Sequence, residues 1–284
     1  MQRTYVVSGS ASGIGAALAS RLRNDGHVVI GVDLRDAEVV GDLSTAEGRA
    51  AAVAAVSALT TRVDGVVPCA GVAGLTGTDP ELVVSLNYFG AIGLVTGLRS
   101  LMHEGSSVVL VSSNSVTAQP GWNSAVTAAC LAGDEARARE LAAEDEAVAV
   151  YPATKAALAY WARREGIKPE WAAAGVRVNA VAPGMIATPM TEQLRRDPRL
   201  GVFADSYPSA LNRPGRAEEV AAVVAFLLSP DSSLLVGSVV FADGGTDALL
   251  HPLRPEGMNV PKIALGALDT VASAVTKVRA FRNR

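Results

Sequence analysis

Tyr151 and Lys155 stand four apart in Tyr151-Pro152-Ala153-Thr154-Lys155, a spacing that projects a phenol and an ammonium from one face of a helix. An ammonium beside a phenol favours the phenolate and draws the tyrosine pKa down from about 10 toward the working range of a general acid/base. Alone, the pair is a weak signal, because most such pairs on helices are solvated surface residues. A second pattern lies near the start of the chain. The apolar run Thr4 to Val7 leads into Ser8-Gly9-Ser10-Ala11-Ser12-Gly13-Ile14-Gly15, and Ala16 to Arg23 has helix-forming composition. This reads as strand, glycine turn and helix. Glycines permit the tight turn and let backbone approach a phosphate, and the helix N-terminus offers free N–H groups and a positive dipole end to a pyrophosphate. The spacing is G-x-x-x-G-x-G. The next strand, His27 to Val32, ends in Asp33, eighteen residues after Gly15. A carboxylate there accepts from adenosine ribose hydroxyls and repels a 2′-phosphate, which favours NAD over NADP, although Arg35 close by keeps NADP admissible.

Together the glycine turn, Asp33 and the Tyr151/Lys155 pair resemble the short-chain dehydrogenase/reductase family, and further motifs follow in the family's order over about residues 3–250. The resemblance implies that Gly9, Ser12, Gly13, Ile14 and Gly15 cradle the cofactor, with Asp42 and Leu43 at its adenine. Cys69-Ala70-Gly71 falls where the family usually carries Asn-Asn-Ala-Gly. Ala70 and Gly71 are kept, and Pro68-Cys69 replaces the asparagine pair. Asn87 matches a helix asparagine that holds a relay water in the family. Ser113, at the end of the apolar run Val108 to Val111, matches the catalytic serine, with Ser112 and Ser115 close enough to compete. Pro183-Gly184-Met185-Ile186-Ala187-Thr188 resembles the segment that positions the nicotinamide, which assigns Pro183, Gly184, Ile186 and Thr188 to the cofactor. Asp243-Gly244-Gly245 resembles the family's usual ending. The implied activity is NAD(H)-dependent interconversion of a secondary alcohol and a ketone, with Tyr151 as acid/base, Lys155 lowering its pKa and holding the nicotinamide ribose, Ser113 polarising the substrate oxygen and Asn87 completing a proton relay.

Within the family the resemblance is closer to the hydroxysteroid dehydrogenase branch, through the segments Gly31 to Val39 and Asp42 to Arg49 and through the 38-residue separation of Ser113 from Tyr151, where about a dozen is usual. The implied substrate is a hydroxysteroid or another hydrophobic carbonyl compound; a simple ketone, a quinone or an acyl-thioester ketone is the alternative. The extra material, about 122–148, reads as a helical hairpin turned by Gly133-Asp134-Glu135: a C-cap, an N-cap and an acidic first turn. It would cover the substrate mouth, shape a subunit interface, or be a solvated excursion. Met190 to Pro214 reads as a mobile substrate loop whose Met190, Leu194, Leu200, Phe203 and Tyr207 could line an apolar pocket.

The elements that must position these groups are legible in the apolar runs. Val28–Val32, Val66–Cys69, Val108–Val111, Val176–Val181 and Val236–Phe241, with a shorter run at Val39-Val40, alternate with helical stretches. That predicts an α/β fold: a doubly wound parallel sheet of about seven strands, of Rossmann type. At 284 residues and 49% hydrophobic, residues 1–250 suffice for one domain with an ample core. Residues 251–284 form an extension, helix-like from Ile263 to Phe281, with Leu268, Val271, Val275 and Val278 on one stripe and Lys277, Arg279, Arg282 and Arg284 at its end. This helix would pack on its own or a neighbouring subunit, or touch an anionic membrane surface reversibly.

A net charge of −3 without a basic stripe argues against nucleic acid. Cys69 and Cys130 make no disulfide framework, and His27, His103 and His251 belong to no metal motif, so no metal is expected. The first strand starts too early for a signal peptide, and no run of ~18 apolar residues is read as a membrane span, which points to the cytoplasm. A homodimer or homotetramer is expected. Two rival readings make different demands: an extended-branch sugar-nucleotide epimerase predicts a G-x-x-G-x-x-G turn and a larger C-terminal domain, and a non-catalytic NAD-binding regulator would ordinarily have lost one of Asn87, Ser113, Tyr151 and Lys155.

Overall fold

The computed structural model describes residues 1–119, 122–205 and 207–253. The stripe from Leu268 to Val278 and the basic cluster after it lie outside the described residues. Met1–Leu250 form one compact unit.

Seven parallel strands build the central sheet in the order β3-β2-β1-β4-β5-β6-β9. They are β1 (Thr4–Ser8), β2 (Val28–Asp33), β3 (Val39–Val40), β4 (Val63–Pro68), β5 (Met102–Val111), β6 (Arg177–Pro183) and β9 (Val239–Ala242), with a separate pair β7 (Ile186–Ala187) and β8 (Gly215–Arg216). Every residue of β4 and β6 is buried, as expected of strands covered on both faces. Alternation along each strand divides the core in two. Val6, Val66, Val108 and Leu110 face one side, packed with α2 (Ala46–Leu59), α4 (Ala91–Gly97) and α8 (Ala147–Glu165). Tyr5, Val7, Val67 and Val109 face the other, packed with α1 (Gly13–Asn24) and α11 (Ala217–Leu228).

Two strand limits differ from the apolar runs. β5 begins at Met102, because the polar stretch His103-Glu104-Gly105 pairs at the sheet's end without burying apolar surface. β9 begins at Val239, just after Gly237 takes φ +66° and donates to the Val178 carbonyl of β6. The segment Pro80–Leu101 is long and apolar enough to cross a bilayer by length and composition alone. Its Val83, Val84, Leu94, Val95 and Leu98 are instead fully buried in the core.

The inserted segment is a helical hairpin. α6 (Ser124–Ala132) starts at Asn123, whose side chain accepts from the amides of Ala125 and Val126, and ends at Gly133 in the left-handed region, φ +75°. α7 (Glu135–Ala143) starts at Asp134, which accepts from the Arg137 amide. The expected substrate loop is mostly ordered: α9 (Pro189–Arg196) and α10 (Gly201–Asp205) are bracketed by the β7·β8 pair.

Candidate active site

The strand order reverses between β1 and β4, and a parallel sheet opens a crevice at the carboxyl ends of its strands there. Every residue assigned above to the cofactor or to catalysis, except Asn87, lines one cavity of about 290 Å³ at this place.

The glycine turn is dictated by close backbone approach. Gly9 takes φ +65°, and a Cβ on it would lie 2.8 Å from the Ala70 amide nitrogen; a Cβ on Gly15 would lie 2.2 Å from the Gly9 carbonyl oxygen. α1 therefore begins directly over the turn, and Ser12 at its N-cap makes no side-chain capping bond, which leaves the first-turn amides directed at the cavity. Asp33 ends β2 with its carboxylate accepting from the Ala11 amide at 2.9 Å, at the rim of the same cavity. The cradle, the helix terminus and the carboxylate fit a dinucleotide.

On the other wall, Tyr151 and Lys155 project from α8. Lys155 is 7% exposed, and its Nζ donates to the Val111 carbonyl at 2.9 Å while lying 5.6 Å from the Tyr151 ring centroid. Burial pushes its pKa down to about 8, against the raising influence of Cys69. The Tyr151 pKa is raised by burial, opposed by a hydrogen bond from Ser113. The expectation of a lowered phenol is corrected in net direction, since burial outweighs the Ser113 hydrogen bond, while the Lys155 ammonium, bonded to Val111, is held beside the ring. Gly74 lets the connection after β4 lie flat on α8 here, since a Cβ on it would sit 2.6 Å from the Tyr151 Cβ.

Ser112 and Ser113 both line the cavity, but the three serines make different bonds. Ser113 faces Tyr151 and lines the cavity. Ser112 Oγ donates to the Lys155 carbonyl at 2.8 Å, pinning β5 to α8. Ser115 begins α5 (Ser115–Ala118), buried.

Asn87 stands apart from the cavity. It sits in a π-helical turn, Ser85–Gly90, a helix form that recurs at functional sites. Its Oδ1 accepts from the Val72 amide at 2.8 Å and its Nδ2 donates to the Val72 carbonyl at 3.0 Å. Both ends of the amide thus grip the backbone next to Gly71.

Of the apolar loop residues, Met190 lines the main cavity and Tyr207 borders a neighbouring one with Arg195 and Ala204. Leu194 and Leu200 line neither. Sequence reasoning missed what Tyr207 does: its hydroxyl donates to Oδ1 of Asn114, buried next to Ser113, at 2.8 Å. No local pattern signals a bond spanning 93 residues. Thr191 and Pro189 also line the cavity without having been singled out.

Comparison with known proteins agrees with this geometry. A family model described as enoyl-(acyl carrier protein) reductase matches residues 9–148 and 143–247. A 3-alpha-hydroxysteroid dehydrogenase/carbonyl reductase from Comamonas testosteroni is 40% identical over 255 residues, 88% of this chain and 98% of its own. A coniferyl-alcohol dehydrogenase from a Pseudomonas species is 35% identical over 258 residues, covering 86% of this chain and 96% of its own. Among solved structures, that of a 3-alpha-hydroxysteroid dehydrogenase from Pseudomonas sp. B-0831 complexed with NADH superposes with a TM-score of 0.83 at 42% identity, over 89% of this chain and all of the other.

Proposed function

This chain belongs to the short-chain dehydrogenase/reductase family and is an oxidoreductase, and from that premise we propose that it interconverts a secondary alcohol and a ketone with NAD(H), on a hydroxysteroid or a similarly hydrophobic carbonyl compound. The observation that carries the reading is the convergence of Tyr151, Lys155 and Ser113 on a cavity whose opposite wall is the glycine turn and Asp33. The substrate class is supported by the two hydroxysteroid dehydrogenases at 40% and 42% identity.

The bound nicotinamide supplies or accepts the hydride. Gly9 to Gly15 and the α1 amides hold its pyrophosphate, Asp33 takes the adenosine ribose, and Pro183 to Thr188 face its nicotinamide end. Tyr151 gives its proton to the carbonyl oxygen in reduction and takes one from the hydroxyl in oxidation. Ser113 donates to the same oxygen, where negative charge develops. Lys155, anchored on Val111, keeps a cation beside the phenol and would hold the nicotinamide ribose. Asn87 holds the backbone at Val72 with its side chain and completes the proton relay to solvent. We also infer a homo-oligomer working in the cytoplasm.

The test is NADH production from NAD with a 3α-hydroxysteroid, run beside Tyr151→Phe and with NADP in parallel. Turnover that requires NAD and Tyr151 supports the reading. A Tyr151→Phe variant that binds NADH and turns over like the wild type would show the wrong acid/base has been chosen.

A further inference from the structure

The inserted hairpin is linked through Arg49 to Leu43 in the wall of the cofactor cleft. Arg49, in the first turn of α2, extends Nη1 to the carbonyls of Leu43 at 3.4 Å and Ser44 at 3.3 Å. The same guanidinium meets Glu135 of α7 with two parallel bonds, Nη1 to Oε1 at 3.2 Å and Nη2 to Oε2 at 2.5 Å. The pair is largely withdrawn from water, the Arg49 side chain being 11% and that of Glu135 27% exposed. Leu43 is itself 3% exposed and lines the cavity.

We propose that Glu135 is a positioning residue for the adenine end of the cofactor site, acting through Arg49 on the backbone of Leu43 and Ser44. The proposal rests on the NAD(H) reading above.

Three further observations fix the geometry. Glu135 is the first residue of a helix capped by Asp134 and entered through the left-handed Gly133, so its place is set by the turn and not by its own long side chain. One turn on, Arg139 donates to Ser85 Oγ at 2.8 Å and pairs with Glu81 at 2.7 Å, fastening α7 to the helical segment beneath it. On the other side, Gly93 and Gly90 make room: a Cβ at Gly93 would lie 2.8 Å from the Arg49 Cδ, and one at Gly90 would lie 3.0 Å from the Leu43 carbonyl oxygen. Arg49 therefore threads between α4 and the adenine segment, with its fork closed by Glu135.

The physical consequence follows from the bond lengths. A two-pronged guanidinium–carboxylate contact, partly desolvated, holds orientation as well as charge. The bonds to the Leu43 and Ser44 carbonyls are long, so they stay in place only while the guanidinium plane is held. A neutral amide at 135 accepts one of the two bonds and sets an N–H donor against the other. The loop 42–44 then loosens, which weakens adenosine binding and leaves the nicotinamide end untouched.

The experiment compares wild type, Glu135→Gln and Arg49→Lys, with the exposed-pair variant Arg137→Ala as control. It reads the NADH dissociation constant, the inhibition constants of ADP-ribose and nicotinamide mononucleotide against NAD, kcat at saturating NAD, and Tm. We expect Glu135→Gln and Arg49→Lys to weaken NADH and ADP-ribose roughly 5- to 20-fold, with nicotinamide mononucleotide unchanged and kcat within about twofold. Arg137→Ala should behave as wild type. ADP-ribose binding as tightly to Glu135→Gln as to wild type overturns the proposal, and so does an equal loss of both fragments with a collapsed Tm, which would mark a general staple of the fold. A wild type that binds neither NADH nor ADP-ribose overturns the cofactor reading and this proposal with it.

Discussion

The Asp197 carboxylate is bonded to Thr76 twice, from the amide at 2.7 Å and from Oγ1 at 3.0 Å, across 121 residues of sequence. Its Oδ1 also accepts from the amides of Arg199 and Leu200, both at 2.9 Å. Thr76 lies in the connection after β4 and Asp197 caps α9, so one carboxylate ties together two segments whose beginnings, Cys69 to Val72 and Thr188 to Thr191, line the cavity.

Burial would raise the Asp197 pKa, but the amides of Thr76, Leu200 and Arg199 and the Thr76 hydroxyl outweigh it and lower the value to about 2. The folded value lies below the unfolded one near ~3.9, so the stabilisation is complete above the unfolded pKa and is lost as pH falls through about 2. Asp197→Asn should lower Tm at neutral pH and raise KM for the substrate severalfold with a smaller effect on kcat. The Tm gap between wild type and variant should be constant above pH 5 and close as pH falls from ~4 toward 2. A gap undiminished at the acid end would mean the charge is not what holds the two segments.

The serines at 112 and 113 should fail differently. Ser113→Ala removes the donor at the reacting oxygen and should lower kcat by about 100-fold or more with NADH binding intact. Ser112→Ala breaks a buried bond to the Lys155 carbonyl and should cost ~1 kcal/mol of stability while lowering kcat less than tenfold. Urea unfolding and steady-state kinetics on both variants separate the two, and an inverted result would reassign the serine.

How much of this was legible in the chain depends on the range of the interaction concerned. The glycine turn, Asp33, the strand at Val108 and the caps at Gly133 and Asp134 are local: each residue type is demanded by backbone geometry within a few positions, and the structure has each of these local features. The bonds of Asp197 to Thr76, Tyr207 to Asn114 and Glu135 to Arg49 join residues 121, 93 and 86 positions apart, and nothing in their neighbourhoods marks them. Four-residue spacing puts Lys155 beside the phenol, but the tertiary contact with Val111 decides where its ammonium goes.

Cys69 stands beside Lys155 where the family carries an asparagine. Burial pushes its thiol up to about 12, and the ammonium opposes this only in part; Cys130 is likewise pushed up to about 12 by burial. Thiolate is the reactive form, so both cysteines should stay unmodified at pH 8. Incubation with iodoacetamide followed by intact mass and activity should show neither adduct nor inactivation over an hour. Rapid single alkylation with loss of activity would place an accessible thiolate in the cleft.

Lys155 makes the sharpest prediction about pH. Its folded pKa of about 8 lies below the unfolded value near ~10.4, so between these limits the unfolded chain binds more protons and stability rises with pH; below pH 8 the burial cost of the charge is carried in full. Wild type should therefore gain stability from pH 8 to 10, relative to Lys155→Met, in which this slope is absent. The kinetics should carry the same group with the opposite benefit. Carbonyl reduction needs Tyr151 protonated, and the burial-raised phenol meets that at neutral pH, whereas alcohol oxidation needs the phenolate and should speed up as pH rises. Reduction should stay level to about pH 7 and decline as Lys155 discharges near 8, and Lys155→Met should be slower throughout and lose that limb. A Lys155→Met profile that keeps the limb near pH 8 would assign it to another group in the cleft.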